Sequence, residues 1–290
     1  MGHMKRRLWL KAMLASGVIG ISVGAELLYS GLLSAEPEQD LQSYQAYFKQ
    51  RFPNFKPEDY SRGMYHFNED KRLQWEAIME FPPYEMAVEE GQALFATPFK
   101  NGKTYGSCFE QGGIGIAQTY PRFDPESGKV KTLGMAINDC RVKNGEKPLD
   151  LLKGPLVFIE AYMAETSRGK PIEITVPNDP RALAAYEEGK RIYFTRRGPR
   201  AFACYHCHWE AAGARIRDNE LSPAIGQAAN FPAYRSEWGE MGAIQRRFKG
   251  CMENIEAKPL KPGSEAMANL EYFHRRLSNG IPLNAPNNRF

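Results

Sequence analysis

The sequence has 290 residues, of which 42% are hydrophobic and 25% charged, with 38 Lys and Arg against 34 Asp and Glu. This is the composition of a globular protein long enough for two domains with substantial cores, and it excludes a disordered low-complexity chain. The near balance of charge gives no indication of a nucleic-acid partner.

The first 35 residues have the organisation of an export signal. Lys5-Arg6-Arg7 precede an apolar stretch from Leu8 to Leu33, and Ser34-Ala35 follow it. A basic start, an apolar middle and small residues at the end are typical of such signals. The alternative is an uncleaved membrane anchor, against which Glu26 inside the apolar stretch argues. We therefore expect residues 1–35 to direct export to the periplasm, a compartment that permits disulfides, and the mature chain to have no stable membrane span.

Residues 36–85 mix acidic, aromatic and proline residues without a recognisable chemical motif. We interpret them as an extension wrapped on the first of two domains.

A degenerate repeat begins near Tyr84. The segment 159–172 resembles the segment 270–283 with a constant offset of 111 residues, and the same offset carries Cys140 onto Cys251. Each half opens with a helix, reaches a cysteine and closes with an amphipathic helix that ends at Ser-x-Gly.

The second half contains the run Cys204-Tyr205-His206-Cys207-His208. A Cys-x-x-Cys-His run is typical of c-type haem attachment, in which two thioethers hold the porphyrin and the histidine ligates iron. The alternatives are a chance match, a redox cysteine pair and half of a zinc site. Zinc would need two more ligands at similar spacing, and the sequence has no second Cys-x-x-Cys or His-x-x-x-His. We expect one covalently bound haem c, held by Cys204, Cys207 and His208.

The repeat and the haem motif together predict the fold. A class I cytochrome c domain packs its first and last helices against each other over the haem, which is the order of elements in each half. We predict a mainly α protein of two class I cytochrome c-like domains related by internal duplication. The boundaries are 36–175, including the extension, and 176–290. The first domain lacks the haem motif.

The first half has Cys108 in the position of a haem cysteine and Cys140 in the position equivalent to Cys251. A disulfide between them would cross-link the space that a haem would fill. Closing such a loop stabilises by roughly 4 kcal/mol in the chain-entropy model. The alternative is two separate buried thiols, which an oxidising compartment disfavours.

Cys251 is then left without a covalent partner. The repeat places it at the haem pocket, as the iron's sixth ligand, and Arg247 would share its helical face. A nearby cation favours the thiolate. A solvated basic face is an equal alternative for Arg247. Other candidate ligands are Met241, Met252, Met267, His206 and His274.

The second half resembles the SoxA family, cytochrome subunits of the bacterial thiosulfate-oxidising system. The resemblance rests on Cys204–His208, Ser222-Pro223-Ala224-Ile225-Gly226, Phe231-Pro232-x-Tyr234-Arg235, Arg247-Phe248-x-Gly250-Cys251 and Asn269–Phe273. Phe81–Tyr84, Pro98–Lys103 and Ala136–Arg141 extend it into the first half. The chain resembles the members that carry one haem.

The resemblance implies a specific reaction. It is the oxidative joining of thiosulfate to a cysteine of the SoxYZ carrier, as an L-cysteine S-thiosulfotransferase, with a small SoxX-like cytochrome as partner. It also implies His208 as proximal ligand, Cys251 as distal ligand and catalytic thiol, carried as a persulfide in the family, and Arg247 as the active-site arginine. Two alternatives are a tetrathionate-forming thiosulfate dehydrogenase and a plain electron-transfer cytochrome c.

Overall fold

The computed structural model describes residues 36–290, in which Pro37–Phe290 form one compact unit. The export signal predicted for residues 1–35 lies outside the described residues. None of the helices within 36–290 combines the length and the apolar character that a membrane crossing requires.

Ten α-helices and seven short strands make up the described part of the chain. The helices are α1 Pro37–Arg51, α2 Pro57–Arg62, α3 Met64–Phe67, α4 Glu69–Ile78, α5 Glu85–Ala96, α6 Leu133–Lys143, α7 Pro155–Glu165, α8 Pro180–Phe194, α9 Ile244–Asn254 and α10 Glu265–Arg276. The strands are β1 Arg122–Asp124, β2 Lys129–Lys131, β3 Arg215–Ile216, β4 Asn219–Glu220, β5 Ala233–Arg235, β6 Glu240–Gly242 and β7 Asn287–Arg289.

Each half is built on a crossed pair of helices, α5 with α7 in the first and α8 with α10 in the second. A glycine stands at the crossing point in both pairs. A Cβ atom at Gly91 would collide with the carbonyl of Phe158, and one at Gly189 would collide with the carbonyl of Asn269. The absence of a side chain lets the two backbones touch, which gives the packing of first and last helices that the sequence predicts.

The elements between the crossed helices also repeat. The hairpin β1–β2 pairs Arg122 with Lys131, and the hairpin β5–β6 pairs Ala233 with Gly242. The helices α6 and α9 follow these hairpins. The Cys108–Cys140 disulfide is present and ties α6 to the short 3₁₀ turn Tyr105–Cys108, so that prediction is confirmed.

The two halves meet around a local two-fold axis. Pro171 and Pro282 form an antiparallel bridge. The amide of Gly169 donates to the Leu283 carbonyl, and the amide of Gly280 donates to the Ile172 carbonyl, at 2.8 and 2.9 Å. The two bonds are equivalent in the repeat, because the offset of 111 residues relates Gly169 to Gly280 and Ile172 to Leu283. The duplicated chain thus contacts itself as a symmetric dimer would.

The N-terminal extension packs on the second half, so its predicted place on the first domain is wrong. Tyr44 of α1 contacts Trp209 edge to face with ring centroids 4.8 Å apart, and it also contacts Phe273. The Trp75 indole of α4 donates to the Asn287 side chain at 3.0 Å. The aromatic residues of the extension pack on aromatic side chains of the second half beside its haem motif.

Two carboxyl groups face each other across the local axis. Glu160 and Glu271 are equivalent in the repeat, and both line a cavity of about 20 Å³ between the halves. Burial and the negative charge of Glu271 raise the pKa of Glu160 to about 8, although Arg275 opposes the shift. Glu271 has the better partners, because Gln245 donates to it at 3.0 Å and Arg275 lies 3.4 Å away. Glu160 is therefore the member that holds a proton at neutral pH.

This proton makes stability depend on pH. Between about pH 4.5 and 8 the folded state holds a proton on Glu160 that the unfolded chain has released, so stability falls as pH rises through this window. We expect Glu160→Gln, which is neutral like protonated Glu160, to match the parent near pH 4 and to become the more stable protein as pH rises, with the largest difference at pH 8.5. Urea unfolding of the holoprotein measures the difference.

The control is Glu126→Gln, which makes the same charge change in the exposed turn between β1 and β2. Parallel pH profiles for Glu160→Gln and the parent would contradict the assignment.

Candidate haem and thiol site

The predicted haem motif folds as a tight helical turn. Residues His206–Glu210 form a π-helical segment closed by the Ala211 amide, which donates to the His206 carbonyl at 3.0 Å. Single π-turns are frequent at functional sites. The turn places Cys204, Cys207 and His208 on neighbouring positions of one loop, and all three side chains are partly accessible.

The N-terminal extension fixes this turn from behind. The Arg51 guanidinium donates to the carbonyls of Trp209, Glu210 and Ala212 at 3.1, 2.8 and 3.0 Å. These carbonyls end a helical segment and would otherwise lack partners. The Trp209 ring is surrounded by aromatic rings of two helices, namely Tyr44, Tyr47, Phe48 and Phe194.

His208 is oriented by its own hydrogen bonds. Its Nδ1 lies 2.9 Å from the Ser222 carbonyl, which assigns the ring proton to Nδ1 and leaves Nε2 as the lone-pair donor. The amide of Met64 donates to Ser222 Oγ at 3.1 Å, so the extension also supports this residue. The Gln227 side-chain nitrogen lies 3.3 Å from Nε2 of His208, and its Oε1 accepts a hydrogen bond from His274 Nε2 at 3.0 Å.

Cys251 lies on α9 within hydrogen-bonding reach of His208. Arg247 is on the same helix, one turn earlier, as the spacing predicts. Burial alone would raise the pKa of the Cys251 thiol. Arg247, His208 and Arg235 outweigh this effect and lower the pKa to about 7. Cys251 is therefore substantially a thiolate at neutral pH, whereas burial and the neighbouring Cys251 raise the pKa of Cys204 to about 12.

These residues fit a c-type haem. His208 would ligate the haem iron through Nε2, and the Cys251 thiolate is a second group that could ligate it. Cys204 and Cys207 are free thiols at the edge of the same space. The Tyr193 hydroxyl is buried and unpartnered among residues 36–290, and its pKa is raised well above the ordinary value by burial and by the three thiols. A group bound between these thiols would give that hydroxyl a partner.

The other candidate ligands have surroundings of their own. Met241 is on β6, Met252 is on α9 and Met267 is on α10, and all three side chains are buried. His206 hydrogen-bonds to the backbone of Ala203. His274 reaches His208 through Gln227, and burial lowers its pKa to about 3, so it is neutral.

The sequence did not indicate several residues of this site. Ser222 and Arg235 fall within stretches that carry the family resemblance, yet nothing in those stretches indicates contact with His208 or Cys251. Gln227 and Arg51 lie outside the haem motif in sequence and have common residue types, and His274 was expected only as a candidate ligand and not as a partner of Gln227. Their roles depend on chain segments that meet only in the folded protein.

Comparisons with known proteins point to one family. The family model described as SoxA/TsdA, cytochrome c domain, matches residues 90–172 and 188–283. The L-cysteine S-thiosulfotransferase subunit SoxA of Allochromatium vinosum is 48% identical, covering 93% of this chain and 96% of that protein. The SoxA subunit of Chlorobaculum tepidum is 44% identical, covering 91% of each.

A solved structure has the same architecture. The crystal structure of SoxXA from P. pantotrophus superposes with a TM-score of 0.70 at 27% identity, over 78% of this chain and 86% of that chain. The duplicated helical fold and the facing histidine and cysteine define a c-type cytochrome with two cytochrome c-like domains, and the chain binds haem c. Within that class, the chain belongs to the SoxA family.

The charge of Arg247 should govern the protonation of Cys251. Arg247→Ala removes the largest influence that lowers the pKa of this thiol, so the pKa should rise. On acidification of the oxidised holoprotein, we expect the visible spectral change that reports protonation of Cys251 to begin at a higher pH. Spectrophotometric titration measures it.

Lys249→Ala is the matched control, because Lys249 is a cation on the same helix that pairs with Glu253 at 2.7 Å. An equal shift in both variants would show that general surface charge, and not Arg247, sets the protonation of Cys251.

Proposed function

We propose that this chain is the SoxA subunit of an L-cysteine S-thiosulfotransferase. It catalyses the oxidative conjugation of thiosulfate to a cysteine thiol of the SoxYZ carrier protein. The observation that carries this proposal is Cys251, whose thiol faces His208 and has its pKa lowered by Arg247. A plain electron carrier has no use for a low-pKa thiol in this position, whereas sulfur transfer requires one. Relatives named for this activity match the chain over nearly its whole length.

The haem site has four protein contacts in this proposal. Cys204 and Cys207 would form the thioether bonds, and His208 and Cys251 would ligate the iron. The first half has the Cys108–Cys140 disulfide in place of a haem motif, so the chain carries one covalent haem c. When bound, the haem accepts electrons one at a time and passes them to a partner cytochrome.

The overall reaction needs an electron acceptor and a base. The carrier thiol and thiosulfate combine into a carrier S-thiosulfonate, with formation of one sulfur–sulfur bond and release of one proton and two electrons. Cys251 supplies the thiolate at which the sulfur chemistry takes place. Arg247 holds the thiosulfate dianion through charge-assisted hydrogen bonds.

The partners and location follow from the same proposal. A small SoxX-like cytochrome pairs with this chain, as the SoxXA complex does in the neighbouring structure. Covalent haem attachment takes place outside the bacterial cytoplasm, so the mature protein is periplasmic and residues 1–35 act as its export signal. The haem-less domain spans 36–175 and the haem domain spans 176–290.

Tetrathionate formation is the second candidate, because the matching family model also includes TsdA proteins.

Conjugation can be tested directly with the chain exported alongside a SoxX-like protein. We expect thiosulfate to become attached to a carrier thiol, as seen by intact mass, and each SoxA chain to carry one haem mass. Cys251→Ala should abolish conjugation and retain the haem. Arg247→Ala loses a charge-assisted contact of roughly 1.5–3 kcal/mol, which predicts a rate lower by about ten- to a hundredfold.

Lys249→Ala should conjugate at the parental rate. Tetrathionate as the main product would favour the second candidate, full turnover by Cys251→Ala would contradict Cys251 as the catalytic thiol, and no conjugation by the parent would indicate a plain electron carrier.

A further inference from the structure

Two guanidinium groups, those of Arg247 and Arg235, act on the Cys251 thiol, and the guanidinium of Arg289 lies next to Arg235. Arg247 and Arg235 both lower the pKa of Cys251, and Arg247 and Arg289 each lower the pKa of Arg235. Strand register explains the arrangement, because β5 and β7 are parallel and pair Arg235 directly with Arg289. Side chains of paired residues in neighbouring strands lie next to each other. We call Arg235, Arg247 and Arg289 the arginine cluster.

The cluster has too little negative charge around it. Arg235 and Arg289 are 8% and 7% exposed. Within residues 36–290, the carboxylate that pairs with the cluster is Glu237, which lies 2.8 Å from Arg235 and whose side chain is 63% exposed. Arg289 donates to the Arg62 carbonyl and stacks on Tyr65, both of which are neutral. Like charges buried this close cost free energy unless an anion joins them.

An unfilled hydrogen-bond donor points to the same conclusion. Arg235 Nε is buried and has no acceptor among the described residues, although one terminal nitrogen of the same guanidinium is bonded to Glu237. A guanidinium offers a planar set of donors that fits an oxyanion with two acceptors side by side. Arg247 has no ion pair within residues 36–290 and stands one helical turn from Cys251.

We propose that Arg235 binds the sulfonate group of thiosulfate, while Arg247 contacts the anion next to the Cys251 sulfur. Arg289 is a positioning residue that holds Arg235 in place. This inference rests on the proposed function. Thiosulfate carries its charge on one sulfonate group and one terminal sulfur. Two separately placed guanidiniums near one thiol therefore orient it, with the sulfonate on Arg235 and the terminal sulfur toward Cys251. Arg247 alone would hold the anion without selecting which end meets the thiol.

The test compares three variants of the holoprotein co-produced with its partner. Arg235→Gln should raise KM for thiosulfate by about ten- to a hundredfold, a larger change than in kcat, and leave KM for the carrier unchanged. Arg235→Lys keeps the charge and should have an intermediate KM. Arg246→Gln is the control, because Arg246 stacks on the same Trp238 ring as Arg235 but has its own partner, Glu240, at 2.9 Å. Its KM should equal that of the parent.

A binding measurement separates this inference from the proposed function. Calorimetric titration of the parent holoprotein with thiosulfate should show binding that weakens with added salt. Arg235→Gln should bind about tenfold or more weakly and with a shallower salt dependence, because one charge contact is missing. Equal thiosulfate binding by Arg235→Gln and the parent would overturn the inference and leave the conjugation activity standing. Binding without any conjugation by the parent would overturn the proposed function instead.

Arg235→Lys keeps the inference testable if Arg235→Gln fails to fold. A KM for thiosulfate in Arg235→Lys equal to the parental value, in a variant that does bind the anion, would contradict the need for the planar guanidinium. A larger change in kcat than in KM would contradict a binding role for Arg235.

Discussion

The site depends on a buried thiolate that faces a histidine. A thiol enclosed in protein is normally driven toward its neutral form, because burial penalises charge. Here Arg247, His208 and Arg235 reverse that preference and bring the pKa of Cys251 to about 7. Three elements bring these groups together. The helix α9 carries Arg247 and Cys251, the haem turn carries His208, and β5 carries Arg235. A thiolate donates strongly to iron and lowers its reduction potential, and it is also a reactive nucleophile toward sulfur.

The duplication explains how a chain with one haem motif holds that arrangement rigidly. Both halves retain the glycine crossing, at Gly91 and Gly189, so both retain the helix pair that frames a cytochrome pocket. In the first half the Cys108–Cys140 disulfide spans the frame, and Cys140 occupies the position equivalent to Cys251. The first half packs against the second around the local axis and so serves as a support for the haem domain. The N-terminal extension adds a second support, because Arg51 and Met64 hold the two segments that position His208.

The sequence predicted the parts that depend on short spacings and on the repeat. The i, i+4 spacing of Arg247 and Cys251 placed them on one helical face, and the 111-residue offset paired Cys108 with Cys140 by analogy to the haem pocket. The docking of the extension was predicted wrongly, because the sequence of an aromatic segment does not indicate which of two related domains it packs on. The roles of Arg235, Arg289, Gln227 and His274 were also out of reach. They depend on strand register and on contacts between segments separated by tens of residues.

The central proposal is that Cys251 and His208 would both ligate the haem iron. The most direct measurement is low-temperature electron paramagnetic resonance of the oxidised holoprotein, compared with Cys251→Ala and with Leu variants of Met241, Met252 and Met267. A low-spin signal of histidine–thiolate type in the parent and the three Met variants, lost in Cys251→Ala while the haem stays attached, is the predicted result. An unchanged signal in Cys251→Ala together with a lost signal in one Met variant would contradict the account.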